Sequence, residues 1–437
     1  MTAISWASGT SGDWATSADW STDSTPRSAD DATIAASGTY TVTVLQAEFA
    51  HSLTLGATGA TLSITNGLTV GTTLDAAAGT LSLASGGSLN GGTVAAAGAA
   101  FAFAGGTLNG VTWQGPLTVS GSAASLTMTG ADTLTGAGGS GAGSLTVSGQ
   151  GAILTITGTL VDAGPLTVNA GAVQIQNGAT GTIEAASTNT GTVGIHDNAT
   201  LTVAGGFSNG ATLDVDSDDN ALEDTGEGGS SLTVTGTLAN TGVVQIGDPV
   251  LALDAATTVT LGGLTNAGTS DSFTLDGSSQ YAATLHFTSP TGFTSNGGTF
   301  ELTYGGLLAL GSSFTNTGTF GIHDNTTLTV AGGFSNSATL DVDSNDSFFQ
   351  DTGEGGSRLT VTGTLANTGV VQIGDSILAL DAATTITLGG LANTGTSDSF
   401  ILDGSSKYAA TLGFTSATGF TSNGGTFELT YGGLLAL

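Results

Sequence analysis

One stretch of this chain is written twice. Gly191–Leu310 and Gly318–Leu437 align without a gap, with His196 falling on His323. Only 18 of the 120 aligned positions differ, most of them mildly: Val259 becomes Ile386 and Asp218 becomes Asn345. A long repeat without gaps implies that each copy fills the same slots in a stack and buries its open ends on its neighbours. The organisation read from this is a cap with the first strands over residues 1–50 and irregular coils over 51–190. The first copy with a connecting coil follows over 191–317, and a second copy with a truncated end over 318–437.

The coils are made of short triplets. Leu53-Thr-Leu55, Leu62-Ser-Ile64, Leu117-Thr-Val119, Leu145-Thr-Val147 and Val173-Gln-Ile175 each place a small or polar residue between two apolar ones. Side chains alternate across a strand, so two residues of each triplet face one side and one faces the other. No helical period competes, and Gly-rich breaks such as Gly86-Gly87 and Gly138-Gly139 separate the triplets. Strands this short are not stable as isolated hairpins. They suit an all-β, single-stranded parallel β-helix (a β-solenoid) with coils of roughly 20–25 residues.

Asn-x-Gly recurs before a strand at Asn189, Asn240, Asn266, Asn316, Asn367 and Asn393. Two reasons suggest themselves: these residues tolerate left-handed corners, and stacked Asn amides can hydrogen-bond along a ladder. The first segment differs, with three of the four tryptophans, Trp6, Trp14 and Trp20. They are expected to close the open end of the stack; the competing reading is an exposed platform for sugar rings.

Charged residues make up only 8% of the chain, yet the formal net charge is −31 and the only cationic side chains are Arg27, Arg358 and Lys407. Phosphate neutralisation needs clustered Lys and Arg, so nucleic acid is excluded as a partner. Cysteine is absent, which removes disulfides and thiolate chemistry. No apolar run is long enough for a membrane-spanning helix, and Met1–Trp6 shows no basic region leading into an apolar core.

The carboxylates concentrate in one loop of each copy, Asp214 to Glu227 and Asp341 to Glu354. Asp214, Asp216, Asp219 and Asp224 recur as Asp341, Asp343, Asp346 and Asp351. They are candidate calcium ligands, because a hard cation collects six to eight oxygens. The EF-hand pattern fails: its glycine and glutamate positions hold Asp219 and Thr225. The competing reading is a solvated acidic turn. His196-Asp-Asn198 and His323-Asp-Asn325 lack a local nucleophile or further zinc ligands and read as corners.

The opening Ser11-Gly-Asp-Trp14, Ala18-Asp-Trp20, Pro26 and Asp30-Asp-Ala-Thr-Ile34 resembles the start of large bacterial surface and secreted β-strand-repeat proteins. Leu201-Thr-Val-Ala-Gly-Gly-Phe-Ser-Asn209 and Leu232-Thr-Val-Thr-Gly-Thr-Leu-Ala-Asn-Thr-Gly242 resemble their coils. These are parallel β-helix proteins of the filamentous-haemagglutinin and autotransporter-passenger kind. The resemblance implies a secreted or cell-surface stalk or adhesin without catalysis, part of a longer array, with surface glycans or other proteins as partners. The alternative is a polysaccharide lyase or hydrolase. Lyases acting on polyuronates need cationic groups, but Arg358 and Lys407 are Ser231 and Gln280 in the first copy. A glycosidase needs a carboxylate pair at a set separation, and Asp218-Asp219 becomes Asn345-Asp346.

Overall fold

The computed structural model describes residues 1–217, 228–248, 253–278, 280–344, 355–374, 380–416 and 418–436. Its strand ladders run parallel, as a β-solenoid. Among the described residues there is no α-helix, only the two 3₁₀ turns Ser17–Asp19 and Ala137–Gly139. The chain divides into two compact units, residues 1–195 with 199–205, and residues 206–437 with 196–198.

In the first unit the triplets form strands as their alternation dictates. Tyr40–Val44 buries Tyr40, Val42 and Val44 and turns Thr41 and Thr43 outward. It lies in register beside Ala60–Ile64, and that strand beside Thr80–Ala84. Coil length varies: a short coil sets Thr93 beside Thr112, and a long one sets Gly12 beside Val42. The three N-terminal tryptophans are buried, with 3%, 0% and 1% exposure for Trp6, Trp14 and Trp20. Trp20 meets the other two edge-on, with ring centroids 5.1 and 4.8 Å apart, and its Nε1–H donates to the Trp14 carbonyl at 2.7 Å. Rings held this way offer no face to a sugar. The exposed-platform reading falls, because the apolar area of the three rings is spent on burial against one another.

In the second unit the repeat period has a structural meaning. Ser231 pairs with Thr258, Thr258 with Thr284, Thr284 with Leu307, Leu307 with Thr327, and Thr327 with Arg358. Five coils therefore lead from Ser231 to Arg358, the residue that holds its place in the second copy. Some of these steps exceed the coil length expected from triplet spacing, most of all the one from Thr327 to Arg358. That step contains residues 345–354, part of the acidic loop. Leu232, Val234, Leu328, Val330, Leu359 and Val361 are at most 1% exposed, as inward triplet positions should be.

The asparagines form the ladder. Nδ2 of Asn209, Asn240, Asn266, Asn296, Asn316, Asn336, Asn367 and Asn393 each donates to Oδ1 of the next, ending at Asn423, over 2.8–3.1 Å. All eight donors are at most 2% exposed. The left-handed explanation for Asn-x-Gly is wrong, since neither the asparagines nor their glycines have positive φ. The glycine answers a close approach of backbones: a Cβ on Gly242, Gly318 or Gly369 would lie 2.2–2.3 Å from a carbonyl oxygen of the preceding coil. Phe273, Phe300 and Phe320 stack beneath the sheet with centroids 4.9 and 5.0 Å apart.

Candidate functional site

Polar chemistry gathers at one corner of the second unit. Successive strands there carry a buried apolar residue at or next to their last position, and these residues align: Val215, Ile246, Leu275, Leu302, Ile322, Val342, Ile373 and Leu402. The residue after each forms a column, Asp216, Gly247, Asp276, Thr303, His323, Asp343, Gly374 and Asp403. The chain turns sharply here, with left-handed φ at Asp216 (52°), Tyr304 (46°), Asp324 (54°) and Asp343 (51°). Short polar side chains suit such turns because they bond to nearby backbone. The two His-Asp-Asn motifs are corners as expected, with Asp197, Asn198, Asp324 and Asn325 all left-handed.

Of the eight candidate calcium ligands, four are described. Asp216 is fully buried and accepts from Ser230 N (2.9 Å), Ser230 Oγ (2.6 Å) and Thr257 Oγ1 (2.5 Å). Asp343 repeats this with Ser357 N (3.0 Å), Ser357 Oγ (2.7 Å) and Thr384 Oγ1 (2.5 Å), and also accepts from Asp324 N at 3.1 Å. These carboxylates tie the two ends of each acidic loop to the next coil. Asp214 is half-buried and its Oδ1 accepts from Ser217 N at 3.0 Å. Asp341 holds the equivalent half-buried place. Asp219, Asp224, Asp346 and Asp351 lie outside the described residues. Among the described residues, no three His, Asp or Glu side chains converge to hold a metal ion.

The column also holds a group that triplet reading passed over. Asp276 is 1% exposed, and neither carboxylate oxygen has a hydrogen-bond partner among the described residues. Burial, then the charges of Asp248, Glu301 and Asp324, push its pKa up to about 8, against a smaller lowering by His323. His323 Nε2 lies 3.4 Å from Glu301 Oε2. Gly321 makes that pair possible, because a Cβ there would collide with both side chains. The first unit has its own buried acids. Burial raises Asp132 to about 7, although its Oδ1 accepts from Val111 N at 2.7 Å. Burial raises Asp162 to about 6. No protein-family model, no curated protein and no solved structure matches the chain.

Proposed function

We propose that this protein is a non-catalytic structural solenoid, a secreted or cell-surface stalk of the adhesin type. The observation that carries this reading is the coincidence of the sequence repeat with five whole coils. A copy added or removed leaves every neighbour's register, Asn ladder and apolar core intact. That is what selection for length preserves, and an active site has no use for it. The charge pattern agrees: a chain with three cationic side chains and 34 carboxylates stays soluble by self-repulsion. In this role surface glycans or other proteins are the partners, and the resemblance to filamentous-haemagglutinin and autotransporter-passenger coils points the same way.

The test is to build chains with one, two and three copies. Each added copy should lengthen the particle by about 24 Å, five strand spacings of roughly 4.8 Å, measured by small-angle scattering or electron microscopy. The melting temperature should not fall as copies are added. An added copy that leaves the length unchanged, or that melts as a separate weaker body, would overturn the proposal. So would release of reducing or unsaturated sugars from polyuronates by the purified chain.

A further inference from the structure

The corner around Asp276 asks for a positively charged partner. Its two carboxylate oxygens are buried and accept no hydrogen bond among the described residues. Thr303 pairs with Asp276 in register, so the two side chains leave adjacent strands on the same side. Its hydroxyl oxygen is likewise buried without a partner among the described residues. Three buried oxygens without a hydrogen-bond partner among the described residues therefore stand on paired positions of adjacent strands. Asp248, Glu301 and Asp324 add negative potential from the coils on either side. Buried polar atoms are nearly always satisfied, and a group of unsatisfied oxygens in one spot is the pattern that an ion completes.

We propose that this corner is a binding site for a hard divalent cation, calcium in the first instance, with Asp276 and the Thr303 hydroxyl as protein ligands. Calcium accepts mixed carboxylate, hydroxyl, carbonyl and water oxygens in irregular geometry, whereas magnesium demands a near-ideal octahedron. One carboxylate and one hydroxyl leave the remaining positions to water, and no convergence of three acidic side chains is required. The site differs from the acidic loops, whose buried aspartates Asp216 and Asp343 are already bonded to Ser230, Thr257, Ser357 and Thr384.

The second copy supplies an internal control. Asp403 holds the same place as Asp276, but Gln372 Nε2 donates to its Oδ2 at 3.4 Å. The first copy's corner is followed by the coil that brings His323 and Asp324. The site therefore belongs to the junction where one copy meets the next.

Equilibrium dialysis of the full chain against radioactive calcium at pH 8 and physiological salt would test this. Asp276→Asn should bind one ion fewer per chain than the parent, while Asp403→Asn should bind the same number. Thr303→Val, which keeps every charge, should weaken that one ion about tenfold, a single lost ligand of roughly 1.4 kcal/mol. An unchanged count in Asp276→Asn, an equal loss in Asp403→Asn, or no calcium bound by the parent would overturn the proposal. If Asp276→Asn fails to fold, Thr303→Val decides, and an unchanged affinity there sinks the idea.

Discussion

The two units solve the same problem with different means. Coil length shifts in both, between Leu307 to Thr327 and Thr327 to Arg358 in the second and between Thr93 to Thr112 and Gly12 to Val42 in the first. No column of identical buried polar groups runs through the first unit's described residues. Its register rests on the alternating Leu, Val and Ile of each strand, with three tryptophans buried in the first coils. In the second unit an unbroken file of asparagines and a stack of phenylalanines run through the coils. Apolar burial alone closes a coil, because one face of every strand must leave water. A hydrogen-bonded ladder asks more: the same residue at the same depth in every coil. Such a ladder is a property of the stack and belongs to no single turn.

The largest effect should come from what both units share. Leu232→Asp places a charge with no partner in a narrow core and should cost about 3–5 kcal/mol. Leu154→Asp should do the same for the first unit, where Leu154 is 0% exposed. Chemical denaturation followed by circular dichroism measures both. A parent-like transition in either variant would mean that the triplet's inward assignment does not carry that unit.

The next change separates the units. Asn316 donates to Asn336 Oδ1 (2.9 Å), Gly318 O (2.9 Å) and Thr339 O (2.7 Å), and accepts from Asn296 at 3.1 Å. Asn316→Ala strands several buried groups at once and should cost about 2–3 kcal/mol. In the first unit Asn109 offers the contrast: it is exposed, with an amide bond to Asn90 at 3.1 Å. Asn109→Ala should stay within about 0.5 kcal/mol. Equal costs at the two sites would erase the distinction drawn between the units.

A smaller effect is a pH slope in the first unit. Asp132 has a folded pKa of about 7, above its ordinary 3.8, because burial penalises the charged form. The folded unit thus holds a proton that the unfolded chain has released. The stability this adds is complete below pH 3.8, declines as pH rises from there to 7, and is gone above that. Asp132→Asn keeps an oxygen for Val111 N and removes the titration. Its denaturation midpoint should gain on the parent between pH 5 and pH 8. Parallel pH profiles for parent and variant would assign the slope to other carboxylates.

Much of this architecture was legible in the chain. Triplets such as Leu201-Thr-Val203 announced parallel strands, and the match of His196 to His323 announced equivalent slots. The asparagine ladder was visible too, but a backbone reason for it was wrong, since periodicity does not report where a side chain points after a strand ends. The same blindness hid Asp276. Aligning strands by their last apolar residue would have set Val215-Asp216, Leu275-Asp276, Val342-Asp343 and Leu402-Asp403 in one column. Aligning by runs of acidic residues drew attention to the loops instead. Glu301 and His323 lie in different copies and meet through the gap left by Gly321, a contact set by coil stacking that sequence spacing does not encode.

The smallest expected effect concerns those loops, and the structure changes how it must be measured. The hypothesis is that Asp214, Asp216, Asp219 and Asp224, with Asp341, Asp343, Asp346 and Asp351, hold calcium. So many like charges in a short span repel one another unless a cation screens them. An ion that binds only the folded loop raises stability by mass action. Replacing Asp216 or Asp343 no longer isolates that gain, because each also anchors a Ser and a Thr of neighbouring coils. Asp214→Asn with Asp341→Asn is the cleaner pair: the Asn oxygen can still accept from the Ser217 backbone while the charge is removed. The comparison belongs in an Asp276→Asn background, so that the corner's ion does not contribute. There, millimolar calcium should raise the melting temperature by a few degrees more than sodium chloride of matched ionic strength. The Asp214, Asp341 pair should lose most of that excess. Equal shifts with the two salts before any loop substitution would make the loops solvated acidic turns, their charge serving solubility alone.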